Sequence, residues 1–200
     1  MHAEALNAVR DMITTTIREG HLHKPTENAW RLAIDLGGAD VNGTARGLFD
    51  ADYTNWLGVD IAEGPGVDIV ADARSWDWHS GRFLTSEART HAHKRVDLVL
   101  CTELLEHVAP FPNDIADSGW KAVIGTACRM LRPGGVLMVT CASTGRRPHG
   151  ARGELDVPTG EYYGNVELEP FSAAMESLDW RDWDVKYNPN PGDLYAWAVK

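Results

Sequence analysis

Trp30-Arg31-Leu32-Ala33-Ile34-Asp35-Leu36-Gly37-Gly38-Ala39-Asp40-Val41-Asn42-Gly43 reads as a short apolar strand that runs through an acid into a glycine turn. Glycine at a strand end lets the backbone approach a ligand closely, and the carboxyl ends of parallel strands are where open α/β sheets bind ligands. Four further pulses of the same kind follow, at residues 56–62, 67–73, 96–102 and 135–142. They are short, rich in Val, Ile and Leu, and several are nearly continuous apolar runs, as strands buried on both faces require. The second ends in Asp60, 25 residues after Asp35, and the third in Ala71-Asp72-Ala73. Roughly 20 residues is the separation at which a second acid takes a ribose hydroxyl pair in nucleotide-binding folds. Three acids therefore fall on one rim.

Helical spacing separates the strands. Leu6, Val9, Ile13 and Ile17 recur on one face of a segment that Gly20 ends, and Ile115, Trp120, Val123, Ile124, Ala127 and Met130 keep a helical period over Asn113–Leu131 until Arg132-Pro133-Gly134-Gly135. A further short helix is expected near Phe171–Leu178. Strand alternating with helix predicts a Rossmann-like α/β architecture: a mostly parallel sheet with helices on both faces. The two runs around Asn188-Pro189-Asn190-Pro191-Gly192-Asp193 read as a terminal antiparallel hairpin. Residues 1–200 read as one domain, with an N-terminal helix and connection over 1–28. A polar Gly- and Pro-rich loop over 143–170 lies on the substrate side.

Composition narrows the function. With 19 Lys and Arg against 29 Asp and Glu, the net charge of −10 opposes the phosphate neutralisation on which nucleic-acid binding rests. No run approaches the roughly 20 apolar residues of a membrane span, and no signal peptide is evident, so a cytoplasmic protein is expected. Cys101, Cys128 and Cys141, an odd number without close pairing, read as reduced core thiols. His21 with His23 and His91 with His93 lack a carboxylate or cysteine at ligand spacing, so no metal is expected.

From Trp30 to Lys200 the chain resembles the class I S-adenosylmethionine-dependent methyltransferases. The resemblance rests on the glycine turn, Gly58-Val59-Asp60-Ile61, Asp72, Asp97–Cys101 leading to Leu105-Glu106-His107-Val108, Leu131-Arg132-Pro133-Gly134-Gly135 and the terminal hairpin. It implies a seven-stranded sheet whose seventh strand inserts antiparallel beside the sixth, and S-adenosylmethionine as cofactor. It places Asp35, Gly37 and Gly38 beneath the methionine moiety, Asp60 and Ile61 at the ribose, Asp72 and Ala73 at the adenine, and Thr102 and Glu103 near the sulfonium. One departure stands out: the family turn carries glycines two, four and six residues after the acid, where this chain has Gly37, Ala39 and Val41. The stretch Asp40–Arg46 looks like a variant turn of bacterial and phage methyltransferase-like proteins. A nicotinamide enzyme is the nearest competitor, but G-x-G-x-x-G is missing.

Methyl transfer needs alignment and, for some acceptors, removal of one proton. His107 reads as a general base or as a structural imidazole. His149, following Arg146-Arg147-Pro148 in the loop after the fifth strand, stands near the reactive end. Arg146 and Arg147 read as ligands of an acceptor carboxylate or phosphate, or as a solvated loop. Tyr162 and Tyr163 line the acceptor pocket or pack their loop onto the sheet, and Trp76 and Trp78 cover the adenine or fill the core. The positions after the fourth strand hold Cys101-Thr102-Glu103-Leu104, not the D-P-P-Y of amine-directed DNA methyltransferases. The reading is therefore a methyltransferase of a small anionic acceptor, with no nucleic-acid or membrane partner. A methyltransferase-like binding or scaffold protein without turnover is the alternative.

Overall fold

The computed structural model describes residues 2–22, 31–49, 55–78, 96–111 and 119–200. Helix α1 (Ala3–Arg18) precedes strand β1 (Leu32–Leu36), β2 (Asn55–Asp60), β3 (Ile69–Val70) and β4 (Val96–Thr102). Helix α2 (Gly119–Met130), β5 (Leu131–Ala142), α3 (Leu168–Glu176), β6 (Asp182–Asn188) and β7 (Asp193–Val199) complete the order. The seven strands lie as β3-β2-β1-β4-β5-β7-β6, with β7 antiparallel to both of its neighbours and every other pairing parallel. This is the expected sheet and hairpin.

Side chains alternate across the central strands, and each face has its own cover. Ala33, Leu98, Leu100, Val136 and Met138 point toward α1, where Val9 and Met12 meet them. Ile34, Val99, Leu137 and Val139 point the other way, onto Val123, Ile124 and Ala127 of α2 and Phe171 and Met175 of α3. Trp120 stacks on Phe171 with ring centroids 5.8 Å apart, joining the two helices. A buried polar tie crosses three strands: Asp97 accepts from the Leu32 N–H at 3.1 Å and from Arg132 Nε at 2.6 Å. Both tryptophans near Asp72 are core residues, Trp76 packing edge-to-face on Trp78 at 5.7 Å. Cys101, Cys128 and Cys141 are buried free thiols.

Several boundaries differ from the sequence reading. Gly20, at φ +76°, closes α1 as anticipated. The third strand is only two residues long, and Arg132-Pro133-Gly134-Gly135 belongs to β5 rather than to a connection. The third helix starts earlier, at Leu168. After the glycine turn the described chain makes a single 3₁₀ turn, Arg46–Leu48. The first residues of the Asn113–Leu131 helix, together with Trp30, His23, His91 and His93, lie outside the described residues. No described helix is long and apolar enough to cross a membrane.

Candidate functional site

A cleft of about 1100 Å³ opens at the carboxyl ends of β1, β2 and β4. Its floor is the turn after β1. Gly37 adopts φ +78°, which only glycine takes readily, and the N–H groups of Gly37 and Gly38 donate to the Val59 carbonyl at 2.8 and 3.0 Å. A Cβ at Gly38 would meet the Gly58 backbone and Arg46, so the turn is closed against β2 with no room for a side chain. Arg46 takes up the work of the absent glycines. Its Nε donates to Asp35 at 2.9 Å, and its Nη2 reaches the carbonyls of Gly38 at 3.3 Å and Gly66 at 2.7 Å.

Asp35 is 3% exposed. Burial raises its carboxyl above the ordinary aspartate value against the pull of Arg46. Its Oδ2 serves Arg46 and Thr44, while Oδ1 is buried without a hydrogen-bond partner among the described residues. A free carboxylate oxygen on the cleft floor fits a ligand ammonium, such as the amino group of a methionine moiety. Asp60 stands at the adjacent strand end, where Oδ2 accepts from the Ala39 N–H at 3.4 Å and Oδ1 from the Ala62 N–H at 3.2 Å. Ile61 is exposed at the rim beside it. The glycine cradle, the free oxygen and the second acid together fit S-adenosylmethionine.

Asp72 and Ala73 also line the cleft, but Asp72 is gripped by Arg74 through contacts of 2.6 to 3.0 Å, which hold its carboxyl below the usual range. Arg74 Nη1 in turn donates to the Ala109 carbonyl at 2.9 Å. Across the cleft, Thr102 leads into Glu103, whose φ of 56° is left-handed, a conformation that costs a non-glycine residue energy and clusters at functional sites. Thr140 donates to Glu103 Oε1 at 2.9 Å, and His2 Nε2 lies 3.0 Å from Oε2. Burial works against ionisation of Glu103, yet His2 and Thr140 bring its carboxyl below the ordinary value.

At the opposite end three rings meet edge-to-face: His107 with His149 at 5.2 Å, His107 with Tyr163 at 5.5 Å and His149 with Tyr163 at 5.0 Å. Burial, then the neighbouring His149, lowers His107 to about 4, so the imidazole is neutral at working pH. Tyr163 donates to Asn165 Oδ1 at 2.8 Å and does not line the cleft, whereas the exposed Tyr162 does. Arg146 and Arg147 both line it, each with an acidic partner. Arg146 Nη1 lies 3.2 Å from the buried Asp193, and Arg147 Nη2 lies 2.9 Å from the exposed Asp156.

Sequence reading missed His2, Arg46, Glu106 and Asp193 as members of this region. Glu106 carried a signal, since it adjoins His107. Buried completely and facing Glu103, its carboxyl is pushed up to about 8. His2 and Asp193 act through partners remote in sequence, and Arg46 is read there only as the end of the Asp40–Arg46 turn, without its contacts to Asp35, Gly38 and Gly66.

No protein-family model matches the chain, and no curated protein matches it. Solved structures do. A SAM dependent methyltransferase from Archaeoglobus fulgidus superposes with a TM-score of 0.54 at 14% identity, over 96% of this chain and 94% of that one. The Burkholderia thailandensis 1,6-didemethyltoxoflavin-N1-methyltransferase, solved with its 1,6-didemethyltoxoflavin and S-adenosylhomocysteine, gives 0.55 at 15% identity, covering 100% and 91%. An S-adenosylmethionine-dependent methyltransferase from Clostridium acetobutylicum gives 0.56 at 13%, covering 97% and 91%. With its strand order, terminal hairpin and cleft, the chain has the class I S-adenosylmethionine-dependent methyltransferase fold.

Proposed function

We propose that the chain is a cytoplasmic S-adenosylmethionine-dependent methyltransferase acting on a small anionic acceptor. The observation that carries the reading is Asp35 Oδ1, a buried carboxylate oxygen without a partner among the described residues, at the floor of a cleft in a class I methyltransferase fold. When bound, S-adenosylmethionine supplies an electrophilic methyl group. The protein's part is then to bind, align and desolvate. Asp35 receives the amino group, the Gly37–Gly38 turn lets the ligand lie against the backbone, and Asp60 accepts hydrogen bonds from the ribose. Asp72 stays available to an adenine amine only at the oxygen lone pairs that Arg74 leaves.

The acceptor enters between Tyr162, Arg147 and the ring cluster. Arg147 is the arginine suited to an anion, because its present partner Asp156 is exposed and readily exchanged, whereas Arg146 is tied to a buried acid. His107, neutral and lining the cleft, brings an uncharged imidazole to the acceptor side. His149 and Tyr162 frame the same space. The alternative, a scaffold that keeps the fold without turnover, draws support from the internal pairing of Asp72 with Arg74 and of Arg146 with Asp193.

Calorimetric titration with S-adenosylmethionine and S-adenosylhomocysteine, followed by a methyl-release assay over panels of small carboxylates and phosphates, tests this reading. Competitive binding at one site and turnover of an anionic acceptor are expected. Binding without turnover across the panels favours the scaffold, and silence in both assays removes the cofactor.

A further inference from the structure

The ring cluster sits in front of a fully buried acid. Glu106 accepts the Ala142 N–H on Oε1 at 3.1 Å, and its Oε2 is buried without a hydrogen-bond partner among the described residues. His107 Nδ1 is in the same condition. Two consecutive residues thus each carry a buried polar atom without a partner among the described residues, which native structures rarely tolerate without a ligand, ion or water. One ligand-type atom from each of Glu106, His107 and His149 lies within 4.8 Å of the other two.

Each of the two imidazoles keeps one nitrogen for a cation. His149 Nδ1 donates to the Arg147 carbonyl at 3.1 Å, which leaves the lone pair on Nε2. His107 hydrogen-bonds to the backbone of Tyr162, and Nδ1 is its nitrogen without a partner. A backbone carbonyl on the far nitrogen is how metal-binding histidines are commonly held in one tautomer.

We propose that Glu106, His107 and His149 form a site for a divalent transition metal of the zinc class, open toward the cleft. Two imidazole nitrogens and one carboxylate oxygen are a set that zinc takes in sites with three protein ligands and a free position. Magnesium and calcium prefer oxygen alone. Bonds of about 2.0–2.2 Å draw ligand atoms closer together than 4.8 Å, so the site closes by an inward movement of His149, the ligand carried on the loop after β5. His107 and His149 line the cleft while Glu106 lies behind them, so the free position faces the space assigned above to the acceptor. Metal binding is independent of methyl transfer and is measured without cofactor.

The test is titration of the full chain, stripped with a chelator, with zinc chloride by calorimetry and with cobalt(II) by visible absorption. One equivalent of zinc bound and a cobalt spectrum of nitrogen and oxygen coordination are expected. Both His149→Ala and Glu106→Gln should weaken zinc binding by roughly tenfold or more while circular dichroism stays native. His149 is partly exposed on a loop, so its variant keeps the test decisive should the buried Glu106 substitution fail to fold. Absence of zinc binding overturns the proposal. So does binding that survives His149→Ala but disappears in His21→Ala, which would assign it to the group of Glu19, His21 and Asp182 instead.

Discussion

The guanidinium of Arg146 reaches the first residue of β7, lying 3.2 Å from the carboxylate of Asp193, whose side chain is fully buried. Asp193 also accepts from the Tyr195 hydroxyl at 3.0 Å and faces His2, so the arginine completes a polar cluster that pins the loop after β5 to the terminal hairpin. Arg146→Ala is expected to destabilise the fold by about 1–3 kcal/mol, because a buried acid loses a charged partner. Arg147→Ala, whose partner is exposed, should leave the unfolding midpoint nearly unchanged and lower kcat/KM for an anionic acceptor. Denaturant unfolding of each variant, beside acceptor kinetics, separates the two arginines.

Arg46→Lys should weaken S-adenosylmethionine binding and stability together. A lysine has a single point of donation, and the guanidinium here serves Asp35 and the carbonyls of Gly38 and Gly66 at once. A loss of about 1–3 kcal/mol in cofactor binding is expected, from the unmade hydrogen bonds around the turn. Titration of the folded variant with cofactor reads it. Unchanged affinity would show that the turn keeps its shape without the arginine.

Asp35 gives the cofactor site a pH dependence of known sign. Burial places its carboxyl above the ordinary value of 3.8, and an ammonium ligand binds the ionised form. Affinity for S-adenosylmethionine is therefore expected to fall as pH drops through that raised value. Asp35→Asn should bind more weakly, by about 1.5–3 kcal/mol for a lost hydrogen bond between charged groups, and should lose the acid-side fall. Calorimetry across a pH series checks both features.

Glu106 predicts a trend in stability of the metal-free protein. Its carboxyl ionises at about 8 in the folded chain against an ordinary 4.5, so the native state holds the proton more tightly than the unfolded one. The stabilisation is complete below 4.5 and declines as pH rises to about 8. In chelator, Glu106→Gln should remove that decline and melt above the wild type on the alkaline side. Parallel melting curves for the two proteins at several pH values would expose a mistaken sign.

Gly58 is the position in β2 at which any side chain is excluded, since a Cβ there would fall on the Gly66 carbonyl and Arg46. Gly58→Ala must push the loop over residues 61–66 off the strand end. We expect a fold destabilised by roughly 1–3 kcal/mol, in the range of overpacked interiors, with cofactor affinity reduced in step. Thermal melting with and without cofactor measures both.

The central strands were legible because burial on both faces leaves its mark in composition: Val96–Thr102 and Val136–Ala142 contain few residues a solvated strand would use. The hairpin was legible from its Asn-Pro-Asn-Pro-Gly turn. The placement of Asp35, Gly37 and Asp60 at the cleft was legible because strand ends carry a fixed meaning in this architecture. Arg46 was not, for its role exists only once Gly38 and Gly66 are brought together. His2 was hidden for the same reason, since its contacts with Glu103 and Asp193 arise only when α1 lies across the sheet. The arginines after β5 showed their charge in the sequence, but not the acids that already hold them.

The guanidinium beneath the turn also changes what a signature of this chain looks like. Where a run of neighbouring glycines shapes the loop, the specification is contiguous and a short pattern captures it. Here it is distributed over Asp35, Gly38, Arg46 and Gly66, joined by hydrogen bonds rather than by adjacency. Positions 39 and 41 are thereby released to vary, and relatives of this chain should be recognisable by joint substitution at 35 and 46 more readily than by the residues between them.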